Sequence, residues 1–421
     1  MKLSKNIIIS DIIQYLKDSF FSVIIFLFAL LPLLPFKLKG LPVLVFICFT
    51  LFVFKNKQRN FSYIFLINLP LYIIYISSLF YSTNIKYGLS LLETTVSILI
   101  LPISFILYSR YERSTKSILT QDLIFKATFI TSSFILSTLI FIISFQYGDY
   151  ISTKIELSKF LFRLNKGFFG IRDHPIYLSI YISLSLLMIV SLFKNIKKHK
   201  IKILLIVIGF FQFFILMLLS RKGVIISFFI SSLTLFFLNQ KRKKEGLLLI
   251  TLFILVSSSF VYKFTPDTIK RFKEIFDVKS YNNIEEHSST SIRYGVYNCA
   301  IQKISESWII GHGIGDVKSE LLNCYKKKSK VLTNENLNSH NQFFGILLSV
   351  GTVGLLIFII PLLINLKLFF ENRDYFAFCK LLMFIFFMFF ENILDRQSGV
   401  ILFAFLLNFY TYKNFKLKNN D

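Results

Sequence analysis

The sequence predicts an all-α fold: a polytopic bundle of about twelve transmembrane helices carrying one large extracytoplasmic loop. Three observations point there. Of the 421 residues, 54% are hydrophobic, 52 of them Phe, and the mean hydropathy is +0.64. The apolar residues come in continuous runs of about 20, the length that crosses a hydrocarbon core about 30 Å thick, without the alternation of barrel strands. The polar residues gather between those runs, most of all over 265–340. Unsatisfied backbone groups are not tolerated in lipid, so each run should be a helix.

The runs lie near 19–35, 40–54, 61–80, 87–108, 121–145, 175–193, 202–219, 222–239, 247–263, 342–366, 376–391 and 398–412, of which 40–54 and 398–412 are the shortest. Residues 1–17 are mixed and charged and lack the compact apolar core of a cleavable signal. The net charge of +25 would suit nucleic acid, but its placement argues for topology instead. Clusters at Lys2/Lys5/Lys17, Lys55/Lys57/Arg59, Arg110/Arg113/Lys116, Lys194/Lys197/Lys198/Lys200/Lys202, Lys241/Arg242/Lys243/Lys244 and Lys413/Lys416/Lys418 all fall on one side if the N-terminus is cytoplasmic. That is the positive-inside pattern, and it leaves no reason to invoke nucleic acid.

The same orientation places 146–174 and 264–340 outside, with short outer turns near 81–86, 220–222 and 392–397. Cys48 and Cys379 read as packing residues within runs. Cys299 and Cys324 share the large loop, where a disulfide is permitted but not required. Within that loop, Ile269, Phe272, Ile275 and Phe276 form a helical stripe over 267–278. Ile292, Val296, Ala300 and Ile304 form another over 291–304. Both suit helices lying on the membrane face or capping the bundle. Gly311-His312-Gly313-Ile314-Gly315 reads as a tight turn; it lacks the βαβ context of a nucleotide fingerprint.

Four places carry chemistry. Arg221 and Lys222 sit in a short outer turn, where positive charge is normally depleted. Either they snorkel to headgroups or they meet an anionic partner, and a guanidinium grips a phosphate through two hydrogen bonds. Arg293 lies on a loop helix beside Tyr294 and Tyr297, with a surface pair to Glu285 or Glu286 as the alternative. Arg172, Asp173 and His174 precede Pro175, where Asp then Pro reads as an ordinary helix start. His340, one of five histidines, stands at the lip of a run that Ser339 or Asn338 can cap. Capping does not require a histidine, and a neutral imidazole accepts a proton from a hydroxyl. Glu391, Asp395 and Arg396 lie at the next outer turn, placed to orient that histidine or to pair with one another. The histidines lack metal-ligand spacing, and the outer loops offer one adjacent acidic pair, Glu285-Glu286. A transfer reaction here would therefore be metal-independent, with arginines supplying the electrostatics.

The order Ser220-Arg221-Lys222-Gly223, Arg293, Trp308-Ile309-Ile310-Gly311-His312-Gly313, Ser339-His340-Asn341, then Gly351 and Gly354 resembles the O-antigen ligase family, which includes related O-antigen polymerases. The resemblance covers roughly residues 170 to 400. It implies a GT-C-like membrane glycosyltransferase, without metal or cofactor, working at the periplasmic face of the bacterial inner membrane. It further implies an undecaprenyl-diphosphate-linked glycan donor held by Arg221 and Arg293, with His340 as general base on a sugar hydroxyl of lipid A–core. Arg172, His174, Lys222, Asn341 and Glu391 would contact substrate. Lys222 departs from the small residue usual at its position, and Arg172 and His174 match a less fixed part of the pattern. A polymerase joining repeat units on the same carrier is the runner-up. A flippase or transporter would show inverted repeats and charges at the midplane, whereas the charges here gather at the ends of runs; a scaffold or receptor ranks below that.

Overall fold

A computed structural model describes residues 20–54, 63–109, 115–145, 148–149, 154–155, 157–193, 196–239, 273–274, 276–282, 284, 288–335 and 337–418. The described residues begin with α1 (Phe20–Ala29), α2 (Leu41–Phe54), α3 (Pro70–Ser78), α4 (Ile85–Thr95), α5 (Ser97–Ser109) and α6 (Thr115–Phe145). A two-residue hairpin (β1 Gly148–Asp149, β2 Lys154–Ile155) and α7 (Leu157–Lys166) lead into α8 (Pro175–Phe193), α9 (His199–Leu219) and α10 (Lys222–Asn239). The loop contributes α11 (Lys279–Asn282), α12 (Ser289–Glu306), α13 (Val317–Lys328) and α14 (Lys330–Glu335). The last three helices are α15 (Gln342–Glu371), α16 (Tyr375–Met388) and α17 (Gln397–Lys418).

The protein is thus an all-α, multi-pass membrane protein. Among the described residues, five stretches are long and apolar enough to cross a bilayer: Ile85–Ser109, Ile118–Phe145, Pro175–Phe193, His199–Leu219 and Gln342–Glu371. Shorter apolar helices occupy Phe20–Ala29, Phe65–Tyr81, Lys222–Leu238 and Tyr375–Met388. The run at 247–263 and most of the stripe at 267–278 lie outside the described residues.

The weakest-looking run turns out to be central. α17 has 22 residues, and every position from Ser398 to Asn414 is buried. Its polar residues break the apolar pattern, yet each finds a partner inside the bundle, as polar groups in lipid must. Asn68 donates to Asn408 Oδ1 at 3.0 Å, Asn365 donates to Asn68 Oδ1 at 3.1 Å, and Thr411 donates to Asn365. Phe405 stacks on Phe28 with centroids 3.9 Å apart. At the end of α17 remote from Ser398, Asp122 accepts from Lys413 (2.7 Å), Lys126 (3.1 Å) and Tyr410 Oη (2.6 Å), and Lys413 also reaches Asp374 at 3.0 Å. Lys380, buried beside this cluster, donates to the Leu406 carbonyl at 2.9 Å and lies over the Tyr410 ring.

The loop has its own small core. Val296, Cys299 and Ala300 of α12 pack with Leu321, Cys324 and Tyr325 of α13, Leu332 of α14 and Leu348 of α15. A Cys299–Cys324 disulfide joins α12 to α13. The stripe expected over 291–304 is therefore helical, but Val296 and Ala300 face this core rather than a membrane surface. The glycine turn makes the other fastening. Gly311 and Gly313 take φ of +73° and +90°, and Gly351 interrupts α15 with φ +65°. His312 N–H donates to the Leu348 carbonyl (2.7 Å), Gly313 N–H to that of Ser349 (2.9 Å), and Thr352 N–H returns to Trp308 (2.9 Å). A Cβ at Gly351 would lie 2.1 Å from the Ile309 carbonyl oxygen, so only glycine permits this approach. Asp316 adds a clasp, accepting from Thr83 N–H (2.6 Å), Thr83 Oγ1 (2.7 Å) and Asn84 N–H (2.9 Å).

Candidate active site

A cavity of about 410 Å³ opens between α3, α4, the start of α8, the head of α15 and the turn at 391–396. His174, Asn338, His340, Glu391, Asp395 and Arg396 line it, together with Tyr75, Tyr87 and Tyr177.

His340 takes φ +46°, a left-handed conformation that costs about 1–2 kcal/mol for a residue with a Cβ. Its neighbours hold it there. Asn341, not Ser339 or Asn338, caps α15: its Oδ1 accepts from Phe343 N–H (2.9 Å) and Phe344 N–H (3.2 Å). Asn338 instead accepts from His340 N–H (3.2 Å) and donates to Asp395 (2.8 Å). Ser339 Oγ accepts from Asn392 Nδ2 at 3.0 Å and donates to the Asn341 carbonyl at 2.9 Å. Tyr297 Oη bonds the carbonyls of both His340 (3.2 Å) and Phe389 (3.1 Å).

The imidazole Nδ1 lies 3.2 Å from Glu391 Oε2, with the two side chains 20% and 15% exposed. Burial alone would raise the Glu391 carboxyl, but His340, and after it Arg293 and His174, outweigh burial and hold it down to about 2. An ionised carboxylate only accepts, so Nδ1 carries the hydrogen, and in the neutral ring Nε2 is the nitrogen left to accept a proton. His174 differs. Burial, followed by the charges of Arg221 and Arg396, pushes it down to about 3, and the ring stays neutral. Its Nδ1 accepts from Ile176 N–H at 3.3 Å, which puts the hydrogen on Nε2 and makes the ring a donor. Asp395 is raised to about 6, chiefly by burial and then by Glu391, against the bonds it receives from Asn338 and Asn392.

Arg221 follows Ser220, whose φ of +54° ends α9. A Cβ at Gly223 would sit 2.4 Å from the Phe390 side chain, so this turn presses against the residue preceding Glu391. Arg293 lies one helical turn before Tyr297 on α12, and its charge acts on both Tyr297 and Glu391. Arg221, Arg293 and His340 come from three separate segments: His340 contacts Glu391, while the two arginines stand outside the cavity wall and act through their charge, Arg221 on His174 and Arg293 on Glu391.

Other expectations need correcting. Asp173 does not cap α8: its carboxylate is buried and pairs with Lys39 and Ser398, while Lys39 also donates to Tyr181 Oη at 3.0 Å. Arg172 is exposed and lies against Gly167, outside the cavity wall. Lys222 is buried and donates to Glu274 (3.1 Å) and Thr290 (3.1 Å), a tether between α10 and the loop. The Asn341 amide oxygen caps α15, and Glu391 lines the cavity while accepting from His340. Tyr297 and Asn392 brace the histidine without having been singled out for it. The one signal for Tyr297 was its spacing of four from Arg293. Among the described residues, no three His, Cys, Asp or Glu side chains converge as a metal-ligand set.

No curated protein matches the chain. A family model described as O-antigen ligase matches residues 204–359, a stretch that contains Arg221, Arg293 and His340. Over residues 204–359 this multi-pass membrane protein is thus similar to the O-antigen ligase family.

Proposed function

We propose that the protein transfers a glycan from undecaprenyl diphosphate to a sugar hydroxyl of lipid A–core, at the periplasmic face of a bacterial inner membrane. The observation that carries this reading is the His340–Glu391 pair in the cavity wall, with Arg293 close enough for its charge to act on Glu391 and Arg221 close enough to act on His174.

Glu391 accepts a hydrogen bond from Nδ1–H and stays ionised, while His340 Nε2 takes the proton of the acceptor hydroxyl as its oxygen attacks the anomeric carbon. The bond from that carbon to the diphosphate oxygen breaks, and the lipid diphosphate leaves with its electron pair. Arg221 and Arg293, with the His174 Nε2–H donor, stabilise the departing charge. A diphosphate so neutralised is a good leaving group, so alignment and one base suffice. The arginines do the work that a divalent ion does elsewhere, and the reaction runs without metal.

The test is a transfer assay on the purified protein in nanodiscs, with a defined lipid-linked donor and candidate acceptors. His340→Ala and Arg221→Ala should each abolish transfer while inserting normally, and near-wild-type turnover would remove that residue from its role. Chelator should leave activity intact; strict dependence on added Mg²⁺ would contradict the metal-free mechanism. Transfer to a second lipid-linked glycan, with none to lipid A–core, would replace ligation by polymerisation.

A further inference from the structure

Trp308, Ile309 and Ile310 form a consecutive apolar stretch inside an otherwise polar loop, and they are 58%, 50% and 55% exposed. We propose that this segment inserts into the membrane leaflet on the cavity side, where phospholipid covers it. Three observations point to lipid rather than to water or a protein partner.

The first is hydrogen bonding. Non-helical backbone survives at membrane depth only where the protein satisfies its polar groups. The carbonyls of all three residues are satisfied: Trp308 and Ile309 accept from Thr352 N–H (2.9 Å) and Val353 N–H (3.4 Å), and Ile310 accepts from Tyr81 Oη (2.7 Å). The second is continuity. Val353, Leu356 and Ile360, exposed along α15, and Phe80, 92% exposed beside Tyr81, extend the same apolar surface from a membrane helix to the segment. The third is depth. From the Gly351 break to Glu371, α15 rises about 30 Å at 1.5 Å per residue, which matches a hydrocarbon core about 30 Å thick. The break, and the segment fastened to it, therefore fall at the hydrocarbon boundary, the level that tryptophan favours.

Trp308 is the only tryptophan in the chain, so intrinsic emission reports this segment alone. The full-length protein is placed in phosphatidylcholine nanodiscs and in matched nanodiscs with brominated acyl chains. The expected result is blue-shifted emission, strongly quenched by the brominated lipid and little affected by acrylamide. Red-shifted emission open to acrylamide and untouched by bromine would overturn the proposal. Emission shielded from both quenchers would also overturn it, because protein and not lipid would then cover the residue. A Trp308→Phe, Ile310→Trp variant moves the reporter within the segment. It should keep the bromine quenching, and its loss there would confine lipid contact to one side chain and sink the insertion of the segment.

Discussion

Glu391→Gln tests the chemistry at its most specific point. Gln keeps the volume and an acceptor oxygen, so the cavity and the contact to His340 Nδ1 can survive while the charge goes. A hydrogen bond to a charged group is worth about 1.5–3 kcal/mol net. Because each 1.36 kcal/mol is tenfold in rate, that range corresponds to roughly 10- to 150-fold. The pair is 20% and 15% exposed, so water screens part of it, and the lower half of that range applies. The charge matters when His340 takes on a proton, after substrate has bound. The loss should therefore appear in kcat, with donor KM unchanged, when transfer to a saturating acceptor is followed at several donor concentrations. Glu391→Ala should be worse, since it also frees the imidazole to rotate. A Glu391→Gln enzyme with wild-type kcat would refute the tautomer argument; one that loses donor binding with kcat intact would make Glu391 a substrate contact instead.

Asp395, raised to about 6, loses its proton in the folded protein as pH rises through that value. Above it a new negative charge faces an anionic donor, so donor KM should climb with pH, and Asp395→Asn should flatten that climb; a KM profile identical in both proteins contradicts this. Lys413→Ala leaves Asp122 and Asp374 short of a cation in a buried site, a change worth about 3–5 kcal/mol, and a detergent-solubilised melt should fall well below wild type. Gly351→Ala puts a Cβ 2.1 Å from the Ile309 carbonyl oxygen and so should lift the loop turn from α15, read as new proteolytic cleavage near 308–313 and as lost transfer. Cys299→Ser opens a loop closed across 25 residues, which should cost about 3.5 kcal/mol by the chain-entropy estimate. Because the bridge steadies the helix that carries Arg293, reductant should lower the activity of wild type and leave the serine variant unmoved.

The spans were legible where apolar runs are long, because length and composition alone decide whether a helix crosses lipid. α17 read as marginal because Asn408, Thr411, Lys413 and Asn414 interrupt its apolar pattern. Their partners Asn68, Asn365, Asp122 and Asp374 lie elsewhere in the chain, and no local window brings them together. The lip histidine was legible as well, because a span needs a cap there and not an imidazole. Which neighbour caps was not. Asn338, Ser339 and Asn341 are all competent, and the left-handed turn at His340 selects Asn341. Between Arg172 and His174, two positions apart, sequence gives no means of knowing which side chain enters the cavity. The same limit hides the Lys222–Glu274 pair, whose members stand 52 positions apart.

Three segments carry the site: the α9–α10 turn, α12 and the head of α15. The α9–α10 turn and the head of α15 belong to the bundle, but α12 belongs to the loop, and a loop able to swing would carry Arg293 with it. The fastenings work against that. The Cys299–Cys324 bridge closes the loop on itself, Asp316 clasps the 83–84 turn, the Trp308–Gly313 strip fills the break in α15, and Tyr297 holds the carbonyl of the catalytic candidate itself. The first of these holds α12 to α13, and the other three tie α12 or its neighbours to the 83–84 turn, to the break in α15 and to the head of α15, so a swing of Arg293 would have to break several of them at once. Electrostatic stabilisation of a leaving diphosphate gains most from charges already in place before the reaction begins. The loop is therefore better understood as a fixed wall of the site than as a lid over it.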